Sequence, residues 1–363
     1  MLSYFARRLL MVPLTFVCIT FMVYAIMRAA PGGPIEQAKM QIRMAQMQEG
    51  GGGGGGLMDG DLDLPQSAID DLKAYYKLDR AVPVGYLIWL GAWPDTARDG
   101  RFSGVLQGDF GKSYRFSEDV LDSITARFPI SIYFGLIGYF ATWIVCIPLG
   151  VRKALRHRSF FDTATSLIVF LGYSIPGFVA ALVLLLLFAT PLLGPGWELF
   201  PLGGFRSDSW DEMRAKGEYL WCVKDQIHHT AIPIFGYVMG GFATMTILMK
   251  NSLLDNLGAD YVRTAFAKGL GERRVVFVHA LRNSLIPICV GIGGAIGLLF
   301  AGSFLIEKTC NIPGMGLLGF ESLLARDYPV IMGLLVFGVL IQLTGNIVSD
   351  IVLALVDPRV RFK

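Results

Sequence analysis

Residues 129–150 read Pro129-Ile-Ser-Ile-Tyr-Phe-Gly-Leu-Ile-Gly-Tyr-Phe-Ala-Thr-Trp-Ile-Val-Cys-Ile-Pro-Leu-Gly150, an unbroken run without one Lys, Arg, Asp or Glu. About 20 apolar residues in helical form cross the hydrocarbon core of a bilayer. No water reaches that core, so the backbone must satisfy its own hydrogen bonds, which makes such a run a helix and not an open strand. Working outward, five more stretches meet the same test: 9–29, 163–190, 229–249, 284–306 and 330–349. Across all six, the only charged residue is Arg28, at the end of the first. The expected fold class is therefore an all-α integral membrane protein with six transmembrane helices. Composition agrees: 53% of the 363 residues are hydrophobic and 17% charged, against about 45–50% and about 25% in soluble domains. The net charge of +3 is too small for a nucleic-acid footprint, so no nucleic-acid partner is expected.

Orientation follows from where the basic residues sit. With the N-terminus inside, the inner segments 1–8, 151–162, 250–283 and 350–363 carry 15 Lys and Arg against 6 acids. The outer segments 30–128, 191–228 and 307–329, more than twice as long in total, carry 16 against 23 acids. The positive-inside rule then predicts both termini on the cytoplasmic side. Three regions result: an N-terminal transmembrane helix at 1–29, a large outer insertion at 30–128, and a five-helix core at 129–363. The first span has no cleavage site before Pro31, so it reads as an anchor and not a signal peptide.

Within the insertion, Gly50 to Gly56 form a flexible tether. Met40, Met44 and Met47 share one face of any helix there, which suits soft packing, with Cu(I) ligation as the weaker alternative. Gln66 to Lys77 reads as a short helix, and Tyr86, Trp89, Trp93 and Phe110 as interface aromatics. Segment 191–228 reads as an irregular cap with an amphipathic piece near Asp208 to Lys216. Cys222 and Cys310 fall in two outer loops where a disulfide is chemically permitted; a bridge and two free thiols both remain open.

The inner segment 250–283 is the most informative. Asp260 is expected to cap a short helix whose apolar face is Val262 and Phe266, with Tyr261 and Ala265 beside them. Lys268 near its end and Gly269 just past it suit a C-terminal stop. A second helix from Glu272 through Arg282 leads into the fifth span. An exposed amphipathic helix of this kind either lies on lipid or docks in a groove of a soluble partner.

The chain lacks a G-x-x-x-x-G-K-[ST] phosphate loop, H-E-x-x-H and paired C-x-x-C. No catalytic residue, metal ligand or cofactor is assigned to it, and any energy source is expected on another subunit.

Tyr261-Val-Arg-Thr-Ala-Phe-Ala-Lys-Gly269-Leu followed by His279-Ala-Leu-Arg-Asn-Ser-Leu-Ile-Pro287 resembles the cytoplasmic motif of bacterial ABC importer permeases, in the dipeptide/oligopeptide group. Arg263 and Thr264 replace the first two letters of that motif, Phe266 stands where the group has Arg, and the spacing to Gly269 carries the match. Further similarities run in order along the chain: Ala30-Pro-Gly-Gly-Pro34, Gly108-Asp-Phe-Gly-Lys-Ser113, Ser174-Ile-Pro-Gly-Phe178, Glu307, Pro313-Gly-Met-Gly316, Arg326-Asp-Tyr-Pro-Val330 and Asp357-Pro-Arg359. The insertion near 35–64 and the run Gly316-Leu-Leu-Gly-Phe-Glu-Ser322 resemble the Yej-type, microcin C and oligopeptide, branch.

The resemblance implies the type I importer permease fold in the bacterial inner membrane, with the insertion in the periplasm. It implies a second permease subunit, an ABC ATPase with two nucleotide-binding domains that binds ATP and Mg, and a periplasmic peptide-binding protein. It also implies that the 259–269 helix, with Val262, Arg263, Thr264, Ala265, Phe266, Lys268 and Gly269, couples to the ATPase. Val262, Ala265 and Phe266 would face its groove. Tyr173, Ser174, Thr244, Thr246, Gln342, Thr344 and Asn346 are candidate lining of the translocation path, although such residues also hydrogen-bond neighbouring helices. Gly291, Gly293, Gly294 and Gly297 would allow close packing of the fifth span. The alternatives are the same machinery carrying nickel or another small solute, a stand-alone secondary carrier, and a membrane-embedded hydrolase.

Overall fold

A computed structural model describes residues 2–29, 73, 79–95, 100–292, 296–297 and 302–356. The Met-rich stretch, the glycine tether, all of the Gln66–Lys77 helix but Lys73, Gly293, Gly294 and the 30–34 and 357–359 motifs lie outside the described residues. Among the described residues the chain is helical, and β pairing is confined to the isolated bridges Asp95–Arg101 and Lys112–Asp119.

Among the described residues four helices are long and apolar enough to cross a membrane: α1 (Leu2–Ala29), α3 (Val120–Leu155), α7 (Tyr219–Leu257) and α14 (Tyr328–Val356). Their lengths exceed the apolar runs that identify them. At 1.5 Å per residue, the 36 residues of α3 extend about 54 Å and the 39 of α7 about 58 Å, well past a hydrocarbon core of about 30 Å. Charged ends such as Arg152 and Lys153 on α3 mark where they leave it.

The run 163–190, expected as one span, is two helices, α4 (Phe160–Ser174) and α5 (Gly177–Phe188), meeting at 92°. The cause is local. Pro176 disfavours helical geometry at the residue before it, and Ile175 is extended, with φ −99° and ψ 116°. Neither arm has about 20 residues, so each alone is too short to span. The stretch 284–306 is described only in part, as α10 (Leu281–Ser284), α11 (Ile286–Val290) and the start of α12 (Phe304–Thr309). Between α7 and α10 lie α8 (Asp260–Ala267), α9 (Glu272–Arg274) and a π-helical turn, Val275–Ala280. The amphipathic piece expected near 208–216 forms α6 (Trp210–Ala215), and α13 is Met315–Leu324.

The residues cluster into two compact units. One comprises Pro13–Ile124 and Glu321–Val336. Here α2 (Val82–Leu90) packs on α1: Tyr86 is buried, its hydroxyl shares a 2.8 Å hydrogen bond with Thr20, and its ring meets Phe21 edge-on. Trp93 remains exposed. In the same unit Asp327 is buried and accepts from Ser113 Oγ and the Arg115 N–H.

The other unit comprises Met1–Val12, Thr125–Phe320 and Phe337–Lys363. It has two apolar clusters. One gathers Phe134, Ala181, Leu185, Ile232, Ile306 and Ile312. The other joins Val151 and Ala154 of α3, Met249 and Leu253 of α7, Val262 and Ala265 of α8, and Val275. Where α5 crosses α7, Gly177 lies so near Gly236 that a Cβ on it would stand 2.2 Å from the Gly236 carbonyl oxygen. Only small residues permit a crossing this close, the usual device for packing helices in lipid.

Candidate functional site

The segment between α7 and α10 builds a short helix with two different faces. Ala259 occupies the N-cap without a side-chain bond, and Asp260, expected as the cap, is the first helical residue, paired with Arg263 at 3.4 Å. Asp260 thus supports the helix through the macrodipole and not through a capping bond. At the other end the Gly269 N–H bonds the Phe266 carbonyl at 2.9 Å and the Leu270 N–H bonds the Ala265 carbonyl at 3.3 Å. That pair of bonds is a Schellman stop. It needs a left-handed residue, and Gly269 has φ +77°.

The two faces correct the sequence reading. Val262 (1% exposed) and Ala265 (8%) turn inward onto Val151, Ala154, Met249 and Leu253 of the chain itself. They hold the helix in place and are not on its outer face. The outward residues are Phe266 (45% exposed) and Tyr261 (37%), with Arg263, Thr264 and Lys268. Tyr261 is steadied by a 2.7 Å bond to Asn256, and the Thr264 hydroxyl donates to the Asp260 carbonyl.

Next in sequence to the α3 and α7 residues that hold this helix, a charge cluster forms that the sequence reading missed. Asp162, in the first turn of α4 and just ahead of its apolar run, accepts Lys250 Nζ on both carboxylate oxygens, at 2.7 and 2.8 Å. It also receives Lys153 Nζ at 3.1 Å and the Arg158 N–H at 3.1 Å. Lys153, fully buried, donates further to the Asp162 carbonyl, Thr165 Oγ1 and Ser166 Oγ at 2.7–2.9 Å. Burial by itself would raise the Asp162 carboxyl; bonds from Lys250, the Arg158 N–H and Lys153 outweigh it and hold the group well below the usual carboxylate range. One acid among four bases in 151–162 was the available signal.

The candidate lining residues divide. Thr246 is fully buried and its hydroxyl bonds the Phe242 carbonyl one turn back, so it opens onto no path in this conformation. Tyr173, Ser174, Thr244, Gln342 and Thr344 are exposed. The Ser174 and Thr344 hydroxyls bond the carbonyls of Phe170 and Leu340. Gln342 and Asn346 are brought together at 3.1 Å, and Gln342 lies against Gly297, where a Cβ would meet its Oε1 at 2.0 Å.

Glu307 is a further buried carboxylate. Its Oε2 accepts the Leu317 N–H at 2.7 Å and its Oε1 the Tyr237 hydroxyl, while the backbones of Gly302, Gly314 and Gly316 close around it. Cys222 and Cys310 are both free and buried, so no bridge joins them. Cys222 Sγ contacts the Trp210 carbonyl, and Cys310 sits in the cluster with Phe134 and Ile312, where burial pushes its thiol up to about 12. Among the described residues no group of three or more His, Cys, Asp or Glu could hold a metal ion.

Residues 146–362 match the family of binding-protein-dependent transport system inner membrane components. Over 379 residues the chain is 36% identical to the inner membrane ABC transporter permease protein YejB of Escherichia coli O157:H7, covering 99% of each. It is 33% identical to the peptidoglycan transport system permease protein YejB of Agrobacterium fabrum, covering 99% of this chain and 98% of the relative. It is 32% identical to the oligopeptide transport system permease protein AppB of Bacillus subtilis, over the full length of both.

Proposed function

Because this chain belongs to the family of binding-protein-dependent inner membrane transport components, we propose that it is a permease subunit of an ATP-driven peptide importer. In this reading it forms the translocation path with a second permease subunit. A periplasmic binding protein delivers the peptide, and an ABC ATPase with two nucleotide-binding domains drives passage. Both termini and the helix α8 face the cytoplasm. The relatives are named for oligopeptide, dipeptide and peptidoglycan transport, which supports cargo of the peptide class over a metal ion.

The observation that carries the reading is the two-faced helix α8. Its inner residues Val262 and Ala265 lock it to α3 and α7, while Phe266 and Tyr261 present exposed aromatic surface beside Arg263 and Lys268. An aromatic anchor with flanking positive charge suits a groove on a soluble partner, because burying a ring on docking contributes about 1.5–3 kcal/mol. A push on a helix held this way is delivered to the two long helices below it. Gly269 ends the helix, so the chain can turn back toward α10.

Reconstitution in proteoliposomes with the partner permease, ATPase and binding protein tests the reading. A labelled tripeptide and a labelled muropeptide serve as cargo. ATP-dependent uptake of either, with Phe266→Ala and Tyr261→Ala together weakening ATPase co-purification, is the expected result. Uptake that needs no ATPase, or undiminished ATPase binding in the double variant, refutes it.

A further inference from the structure

The Asp162 cluster joins three helices at the place where α8 is seated. Lys153 lies on α3 between Val151 and Ala154, and Lys250 follows Met249 on α7; those three apolar neighbours belong to the buried cluster that holds Val262 and Ala265. Each of these two helices therefore serves α8 with one set of side chains and Asp162 with the next. Asp162 starts the 15-residue arm α4, about 22 Å long at 1.5 Å per residue. That arm ends at the 92° break, beyond which α5 is pressed onto α7 at Gly177 and Gly236. The arm is thus held by charge at one end and by backbone contact past its bend.

We propose that Asp162, Lys153 and Lys250 are positioning residues that carry displacement of α8 into the bent helix pair α4–α5, so that ATP hydrolysis and peptide movement stay coupled. The inference rests on the importer reading above. A charge clasp suits this task better than apolar packing. Its charge-assisted hydrogen bonds are directional, with both carboxylate oxygens engaged by one ammonium, so the start of α4 cannot slide on α7 without breaking them.

The test uses the complete reconstituted complex and reads peptide taken up per ATP hydrolysed, beside co-purification of all subunits. Asp162→Asn and Lys250→Met are expected to assemble and hydrolyse ATP while uptake per ATP falls at least tenfold. Lys250→Arg, which keeps the charge and the donors, is expected to retain at least half. Uptake per ATP within twofold of the parent in either Asp162→Asn or Lys250→Met overturns the proposal. The triple variant Asp162→Asn/Lys153→Met/Lys250→Met removes all three charges and so strands none. If it and both single variants fail to assemble, the clasp serves folding and not transmission, which also overturns the proposal. A parent complex without ATP-driven uptake refutes the importer reading and this inference together; a coupled parent with coupled variants sinks the clasp alone.

Discussion

Replacing Gly177 by Ala asks whether the crossing of α5 over α7 is as tight as it looks. The added methyl would stand 2.2 Å from the Gly236 carbonyl oxygen, where ordinary contact begins at 3.4 Å, so the helices must part to make up the difference. Parting them draws Ala181 and Ile306, which pack around Gly236, away from it. Overpacking of this kind costs about 1–3 kcal/mol, and gaps of about 0.5–1 Å forfeit about a quarter to a half of each lost contact. We expect a net loss of about 2 kcal/mol, the middle of that range. Gly240→Ala is the control: it lies on the same helix as Gly236, and its Cβ would meet nothing within 4 Å. There the better helix propensity of Ala, about 1 kcal/mol, predicts no loss. The measurement is reversible unfolding of the purified protein in mixed micelles, followed by tryptophan fluorescence. The reasoning fails if Gly177→Ala lies within about 0.5 kcal/mol of the parent, the scatter of an inert surface substitution, or if Gly240→Ala loses as much.

Gly269→Ala should destabilise the end of α8 by about 1–2 kcal/mol, because φ +77° strains an L residue even where space is open; hydrogen exchange of amides 265–270 should quicken, and unchanged protection would contradict this. Glu307→Gln should destabilise by about 1–3 kcal/mol, since the amide keeps one acceptor oxygen for the Leu317 N–H and turns an NH2 toward the Tyr237 hydroxyl that the second oxygen accepts; a Gln variant with parental unfolding would refute the cradle. Cys310 should resist maleimide between pH 7 and pH 10 in the folded protein and react on unfolding, as its thiol sits near 12; rapid native labelling at that position would show the burial to be wrong. Asp162 has a depressed carboxyl, so its stabilisation is complete above the ordinary carboxylate range near pH 4 and is lost only as pH falls further. With His157→Gln in both proteins, to remove the imidazole 3.5 Å from the carboxylate, subtracting the unfolding profile of Asp162→Asn from that of the parent should give a flat difference from pH 5 to pH 8, and a slope across that window would count against the ion cluster.

How much of this could be read beforehand depends on how far apart the interacting residues lie. Helix α8 and its stop at Gly269 were legible, because propensity, a first-turn acid and a terminal glycine act within one turn or two. Which face of α8 is buried was not legible: Val262 and Ala265 are claimed by Met249, Leu253, Val151 and Ala154, and no local pattern distinguishes packing on one's own core from packing on a partner. The break at Pro176 was written in Ser174-Ile-Pro-Gly, but averaging hydropathy across the whole run 163–190 smoothed it into one span. Glu307 was noticed as part of a motif, while its surroundings required the return of the chain through Pro313 to Leu317. Thr246 looked like lining because a polar residue in a span is conspicuous; its hydroxyl is satisfied one turn back, which costs the helix little and leaves the residue without a partner to recruit.

The clasp also bears on the orientation reading, because a lysine spent on a buried carboxylate is counted by the positive-inside rule as though it faced water. Lys153 and Lys250 are two of the 15 basic residues assigned to the inner segments. Setting both aside leaves 13 there against 16 in outer segments more than twice as long. The inner density is still about twice the outer, so the argument for inner termini does not depend on the two lysines. Arg152, Arg156 and Arg158 stay exposed in the same loop and can retain it on the inner face. In the proposed orientation the exposed arginines are the ones free to act on topology, while the buried Lys153 and the partly buried Lys250 bind α3 and α7 to Asp162 of α4. Arg156→Gln/Arg158→Gln should therefore disturb insertion more than coupling, and Lys250→Met the reverse.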